Sequence, residues 1–464
     1  MPNVQMNNDT IAAISTPFGK AGIGIVRISG PRALEIAGKI FSPGKSVQAI
    51  ESHRLYLGQL IDPTCGQMID EVLLSFMKAP NSYTREDVIE INSHSGYALL
   101  SKVLQIIINE GARLARPGEF TFRAFLNGRI DLTQAEAVAD LINSRSERGL
   151  ILASCQIRGE LRDRVGKLRG KLIEILARIE AAIDFPEDEP GLLSREEMVI
   201  LIEKDIIKPI NESLVAHTRR KIWMEGINTV IAGRVNTGKS SLLNRLLNEE
   251  RSIVTAVPGT TRDIVESTIH IKGIPFCIMD TAGIREGKGK VERIGISKSE
   301  EKLDEADISL ILIDQSRPLN KDDLKILSKA GKEKSIIAIN KIDLPSRLDE
   351  TELNKIINGL TVVRISCLTG EGIGDLLNAV PDKVMENDPD GISLSPVPNM
   401  RHKIALTEAL NHFINAVDNL KKDSPLEIIA MDIREGANTL AEITGETTNE
   451  DIYDRIFSEF CLGK

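Results

Sequence analysis

The spacing of apolar positions changes several times along the chain, and each change marks a different kind of structure. Through residues 11–126, short β-rich runs at 23–28, 55–61, 72–77 and 88–91 alternate with helical stretches at 32–40 and 96–110. That alternation predicts an α+β domain. From Thr133 the period becomes helical, with Val138, Leu141 and Ile142 on one face, and Thr133 with Glu136 reads as a capping box that opens the first helix. Leu161, Val165, Leu168, Leu172, Ile175, Ile179 and Ile183 then recur alternately four and three apart, which lines one side of a long helix. An acidic, proline-bearing segment at 185–191 ends it. Arg158, Arg162, Arg164, Lys167, Arg169 and Lys171 interleave with these apolar positions and read most simply as a solvated face, with contact to nucleic-acid phosphates as the alternative.

The helical period stops before a short strand at 228–232 and returns far downstream. There it is carried by Leu406, Leu410, Phe413, Val417 and Leu420, then by Leu426, Ile429 and Ile433, and last by Ile452, Ile456 and Phe460. The economical reading is one helical domain, contributed by two chain segments and interrupted by an inserted domain whose termini lie close together. The expected multidomain α/β chain therefore has an N-terminal domain over 1–126, helical segments over 127–225 and 381–464, and an insert over 226–380.

Composition narrows the class. A chain of 464 residues exceeds what a single core accommodates. With 42% hydrophobic and 27% charged residues, one Trp and four Tyr, it reads as globular and poor in stacking platforms. No apolar run reaches the ~18 residues of a membrane span, and the N-terminus lacks the basic start and apolar core of a secretion signal, so a cytoplasmic location is expected. Cys65, Cys155, Cys277, Cys367 and Cys461 show no metal-ligand spacing, which argues against zinc and a disulfide scaffold. A net charge of −9 argues against nonspecific wrapping of nucleic acid.

The insert carries the chemistry. Its first strand runs into Gly233, Asn236, Thr237, Gly238, Lys239, Ser240 and Ser241 in the pattern GxxxxGKS, followed by a helical run. In such a loop the glycines let backbone N–H groups turn toward phosphate oxygens, the lysine neutralises the terminal phosphates and the Ser240 hydroxyl is a candidate Mg²⁺ ligand. Thr255, Ala256 and Val257 lead into Pro258, Gly259, Thr260 and Thr261, where Thr261 is the candidate second Mg²⁺ ligand. A hairpin around Lys272 and Gly273 ends in Asp280, Thr281, Ala282 and Gly283, with Asp280 placed for the outer shell of Mg²⁺ and the Gly283 N–H for the γ-phosphate. Asn340, Lys341 and Asp343 follow another strand, and Ser366, Cys367 and Leu368 follow the last. A carboxylate at Asp343 accepts from N1–H and the 2-amino group of guanine, neither of which adenine offers, so GTP is the expected nucleotide. Ile284 stands where related enzymes place a water-orienting glutamine, which leaves Glu286 and Glu292 as nearby carboxylate candidates and no evident arginine finger.

These motifs resemble those of the potassium-activated, dimerisation-dependent GTPases. The whole chain is similar to the bacterial tRNA-modification members of that family, through residues 9–12, 24–30, 82–88, 116–120, 124–127, 131–137, 291–295 and the terminal Cys461 to Lys464. The resemblance implies that Asn236, Thr260 and the carbonyls of Thr255 and Val257 hold K⁺ in place of an arginine finger, and that Glu292 orients or activates the attacking water. It also implies that the N-terminal domain binds a tetrahydrofolate derivative through Arg27, Glu90, Arg129 and Lys464 and forms the homodimer, with Cys461 at the modification site. By the same resemblance, an FAD-dependent partner, MnmG, joins this chain in a heterotetramer or larger complex. Together they would install an aminomethyl-type group on C5 of the tRNA wobble uridine while GTP hydrolysis drives conformational cycling. A ribosome-assembly switch is the alternative. The chain departs from the family's usual residues at Arg85 and Ser95, where glycines are common, and at Val235, where proline is.

Because Glu292 is remote in sequence from Lys239 and Asp343, Glu292→Ala should bind GTP with parental affinity yet lose K⁺-stimulated turnover. Nucleotide titration beside steady-state phosphate release in K⁺ and in Na⁺ at equal ionic strength checks this. Parental turnover by the variant in saturating K⁺ would move the role to another group.

Overall fold

The structure is a computed structural model that describes residues 9–17, 19–44, 49–184, 194–249, 267–279, 306–385, 397–447, 453, 456–458, 460 and 463. Its elements in chain order begin with β1 (Ile11–Ile14), β2 (Gly24–Ser29), α1 (Ala33–Ile40), β3 (Phe41–Pro43), β4 (Leu55–Ile61), β5 (Met68–Met77), β6 (Val88–Ser93), α2 (Tyr97–Asn109) and β7 (Arg113–Leu114). Helices α3 (Glu119–Leu126), α4 (Leu132–Asn143), α5 (Glu147–Ile157), α6 (Glu160–Asp184), α7 (Arg195–Ile202) and α8 (Lys208–Met224) follow, with a π-helical turn at Glu203–Ile207. Next come β8 (Ile227–Ala232), α9 (Lys239–Glu249), β9 (Ser267–Ile271), β10 (Ile274–Met279), β11 (Ile308–Asp314), α10 (Lys321–Ser328), β12 (Ser335–Asn340), α11 (Glu350–Ile356), β13 (Thr361–Arg364) and α12 (Ile373–Met385). Helices α13 (Met400–Lys421) and α14 (Leu426–Thr444) complete the set.

The fold divides into two units. One comprises Met1–Ile142, Ser154–Leu214 and Met400–Lys464, and the other Asn143–Ala153 and Val215–Asn399. In the first unit, a seven-stranded sheet in the order β3-β4-β5-β6-β2-β1-β7 is antiparallel except where β1 meets β7. Alternation in β2 and β5 turns Val26, Ile28, Val72 and Leu74 inward, where Ile36 and Ile40 of α1 and Leu100 and Val103 of α2 cover them. The helical part of this unit has one continuous core. Leu161, Leu168, Leu172 and Ile179 of α6 pack in the same cluster as Leu406, Phe413 and Val417 of α13 and Ile433 and Leu440 of α14. Two distant chain segments thus share one apolar interior, as the returning helical period implied. The α13–α14 approach depends on Gly436, where an added Cβ would stand 2.6 Å from Phe413 Cζ.

One expectation needs correction. Asp131, rather than Thr133, caps α4: its Oδ1 accepts from the Thr133 and Gln134 amides at 2.7 and 3.1 Å, and Gln134 Oε1 accepts from the Asp131 amide at 3.0 Å. The box sits two residues earlier, and Glu136 is buried and committed elsewhere. Its carboxylate receives Arg401 Nε and Nη2 at 2.8 and 2.9 Å and lies 2.7 Å from His402 Nε2. The basic residues at the start of and along α6 are mostly exposed, as a solvated face implies, and they carry surface ion pairs. Arg158, Arg162, Arg164, Arg169 and Lys171 each pair with a carboxylate, those of Glu160, Asp163, Glu212, Glu446 and Asp205 respectively.

In the second unit, a six-stranded sheet runs β13-β12-β11-β8-β10-β9, parallel except for the β9–β10 hairpin. Lys272 and Gly273 make its turn with φ of 51° and 78°, the left-handed pair that suits the twist of a two-residue hairpin. Strands β11 and β12 are buried along their whole length, as befits parallel strands covered on both faces.

Burial opposes the charge on Glu136, but His402 and Arg401 hold its carboxyl far below the ordinary value of 4.5. Ionised Glu136 therefore contributes stability above pH 4.5 that is lost as acid protonates the unfolded chain preferentially. Glu136→Gln should cost about 3 kcal/mol at pH 7 by stranding the Arg401 charge. Urea denaturation of both proteins should show that deficit shrinking as the pH falls below 4.5.

Candidate guanine-nucleotide site and a second cluster

Strand β8 ends where a parallel neighbour, β11, lies on one side and β10 on the other, so the loop from Gly233 to Gly238 opens at the carboxyl edge of the sheet. Asn236 takes φ of 66° and Gly238 φ of 103°, and a Cβ at Gly238 would collide with the Asn340 amide. Only glycine permits that approach. Lys239 Nζ donates to the carbonyls of Gly233 and Arg234 at 2.7 and 2.8 Å, which arches the loop over its ammonium. Burial lowers the Lys239 pKa below its usual value. The Arg234 guanidinium, 3.1 Å from the buried Asp323 carboxylate, ties the loop to the first turn of α10. Ser240 and Ser241 are exposed in the first turn of α9. A glycine-hinged loop, one ammonium and a helix N-terminus bearing two exposed hydroxyls fit a nucleoside triphosphate with Mg²⁺.

The base-side loops are locked onto this loop. Asn340 Nδ2 donates to the Thr237 carbonyl at 2.7 Å while its Oδ1 accepts from the Cys367 amide at 3.0 Å. Lys341 Nζ donates to the Asn236 carbonyl at 3.0 Å and to Asp314 Oδ2 at 2.7 Å. Burial of Asp314 opposes its charge, yet Lys341 and Ser316 keep its carboxyl below the usual carboxylate range. Asp343 Oδ1 accepts from Ser366 Oγ at 2.6 Å, and Asp343 is otherwise exposed. Burial pushes the Cys367 thiol up to about 11, so it stays protonated. Leu368 is exposed beside it.

A second cluster forms in the N-terminal domain. Arg27 on β2 and Glu90 on β6 are cross-strand neighbours, joined at 2.8 Å through Nε and 2.7 Å through Nη2. Arg27 also lies 5.8 Å from the Tyr83 ring centre and 5.6 Å from that of Phe120, and Arg129 stacks 4.7 Å from Tyr83. The Gly463 carbonyl accepts from Ser15 Oγ at 3.1 Å and from Arg27 Nη1 at 3.4 Å, so the chain terminus ends beside these residues. Phe457 and Phe460 anchor it in an apolar cluster with Leu132 and Ala135. Sequence reasoning missed Tyr83, Phe120 and Ser15. The run Ser82 to Val88 was legible as a motif, but nothing in it told that the tyrosine ring faces two arginines. Thr255, Ala256, Val257, Pro258, Gly259, Thr260, Thr261, Asp280, Thr281, Ala282, Gly283, Ile284, Glu286, Glu292, Cys461 and Lys464 lie outside the described residues.

A parallel sheet with a glycine-hinged loop at its carboxyl edge, tied there to the Asn340–Asp343 loop, defines a P-loop protein of the guanine-nucleotide class. Sequence comparison gives the narrower family. Residues 10–129 match the family described as GTP-binding protein TrmE N-terminus, and residues 132–461 match the MnmE helical domain. A tRNA modification GTPase MnmE of Carboxydothermus hydrogenoformans is 46% identical over 99% of this chain and 100% of its own. The same-named protein of Bacillus subtilis is 43% identical over 98% of this chain and 100% of its own. Among solved structures, a point variant of Aquifex aeolicus Era bound to GDP·AlF4⁻ matches at 26% identity over 41% of this chain and 65% of its own, with a TM-score of 0.26. The chain belongs to the MnmE family of tRNA modification GTPases.

Asp343→Asn should weaken GTP by about 10³-fold or more while admitting xanthosine triphosphate, because an amide offers a donor to the 2-oxo group. Competition binding with the two nucleotides checks the swap.

Proposed function

We propose that this protein hydrolyses GTP, with Mg²⁺, to drive a tRNA modification carried out on its N-terminal and helical domains. In this reading K⁺ is held by Asn236, Thr260 and the carbonyls of Thr255 and Val257, and supplies the positive charge that an arginine finger would bring. Glu292 acts on the attacking water. A tetrahydrofolate derivative binds at Arg27, Glu90, Arg129 and Lys464, and its one-carbon unit, with MnmG as FAD-dependent partner, becomes the aminomethyl-type group on C5 of the wobble uridine. Cys461 belongs to that site. The protein works in the cytoplasm as a homodimer joined through residues 1–126, with helical segments 127–225 and 381–464 around a GTPase insert at 226–380.

One observation carries this reading over the ribosome-assembly alternative. Arg27, Glu90, Tyr83, Arg129 and the Gly463 carbonyl gather in a domain remote in sequence from the nucleotide loop. Two guanidiniums, an aromatic ring and a carboxylate suit a ligand with a flat heterocycle and anionic tail, and a switch whose only output is binding has no use for them. The P-loop and Asp343 supply the GTPase half, and the name the relatives carry, tRNA modification GTPase, agrees with both halves. Among the described residues no helix is long and apolar enough to cross a membrane.

Nucleoside mass spectrometry of tRNA from a deletion strain should show loss of the wobble-uridine modification, restored by the parental gene. The Cys461→Ser gene should restore K⁺-stimulated GTP turnover but not the modification. Unchanged tRNA in the deletion strain would leave the assembly switch as the better reading.

A further inference from the structure

Arg85 takes φ of 59°, a left-handed backbone that costs a side-chain-bearing residue about 1 kcal/mol. Glycine would adopt it without strain, so the arginine side chain has to return something for its place. Its Nη1 donates to the Asn127 carbonyl at 2.9 Å. Asn127 answers across the same gap, its Nδ2 donating to the Thr84 carbonyl at 2.7 Å. Two residues further, Arg129 Nη1 donates to the Tyr83 carbonyl at 3.2 Å, and its guanidinium lies over the Tyr83 ring at 4.7 Å. Between the last two, Gly128 is itself left-handed at φ 67°. Residues 83–85 and 127–129 are therefore laced together by three hydrogen bonds that run in both directions. Tyr83 is fixed at its far end as well, where its hydroxyl meets Thr121 Oγ1 at 2.9 Å.

Without the Arg85 contact, the Asn127 carbonyl loses a charged donor, and the 127–129 turn keeps its amide bonds to the Arg123, Phe125 and Ala124 carbonyls but loses the tie that fixes it against residues 83–85. Arg129 has an exposed side chain and gains its place from that loop. We propose that Arg85 is a positioning residue of the second cluster: it pins the 127–129 loop so that Arg129 is preorganised over Tyr83 to receive an anionic ligand. This rests on the reading of the cluster as a reduced-folate site. Preorganising one long side chain contributes about three- to tenfold in affinity.

The test is calorimetric titration of the full-length protein with 5-formyltetrahydrofolate, a stable reduced folate, together with the KM and kcat for methylenetetrahydrofolate in the modification reaction. Arg85→Gly removes the side chain and the backbone strain together, so its melting temperature should hold while folate affinity falls about three- to tenfold. KM should rise by the same factor with kcat and GTP turnover unchanged. Arg85→Lys keeps a charged donor and should recover most of the affinity. If Arg85→Gly binds folate as the parent does while Arg129→Ala binds weakly, the positioning role is overturned and the folate site stands. If Arg27→Ala and Arg129→Ala both bind as the parent does, the folate reading fails and the role of Arg85 with it. A lower melting temperature in Arg85→Gly alongside the loss of binding would overturn positioning in favour of support of the fold.

Discussion

Glu136 lies buried on α4, and groups from the far end of the chain converge on it. Arg401, 265 positions downstream, gives the carboxylate two hydrogen bonds and donates through its terminal nitrogens to the Glu442 and Ile443 carbonyls, which are among the last of α14. His402 is fully buried on the other side. One guanidinium thus joins the start of the helical domain, the first turn of α13 and the open carbonyl end of α14. A buried ion pair of this kind is weak evidence for net stability, because desolvation offsets the attraction, but breaking it strands a charge. Its consequence is topological. The chain has to come back to residue 401 in register with residue 136, and between the two it runs through α6 of the same unit as well as through residues 215–399 of the other.

That return also places the terminus. Once α14 is set against α6, the following residues deliver Phe457 and Phe460 onto Leu132 and Ala135, and Gly463 onto Ser15 and Arg27. The second cluster is consequently assembled from β2, β6, the loops at 83 and 129, and the end of the chain. No local segment holds more than a fraction of it. In the other unit the equivalent keystone is the Asn340 side chain, which bridges the Thr237 carbonyl of the Gly233–Gly238 loop to the Cys367 amide. Each site is held by a side chain that satisfies backbone groups from distant loops.

Sequence alone carried the local elements and the nucleotide chemistry. β-rich runs located β2, β4, β5 and β6 but not the short β1, β3 and β7, and a period of 3.6 located α6 and the returning helices α13 and α14, because burial on one face forces that spacing whatever the partner is. The phosphate loop and the base loop were legible because a left-handed backbone and an acceptor-only carboxylate admit few residue types. The capping box of α7, where Ser194 and Glu197 exchange hydrogen bonds, carried a readable Ser-x-x-Glu signature that periodicity alone overlooked. Tertiary structure decided the rest. It alone moved the cap of α4 to Asp131, gave Glu136 to Arg401, paired Arg164, Arg169 and Lys171 of α6 with carboxylates of distant segments, and set Tyr83 against Arg27 and Arg129. An ionisable side chain has no preferred partner in its own sequence neighbourhood, since water serves it equally well until folding removes the water and leaves only the groups that distant segments bring.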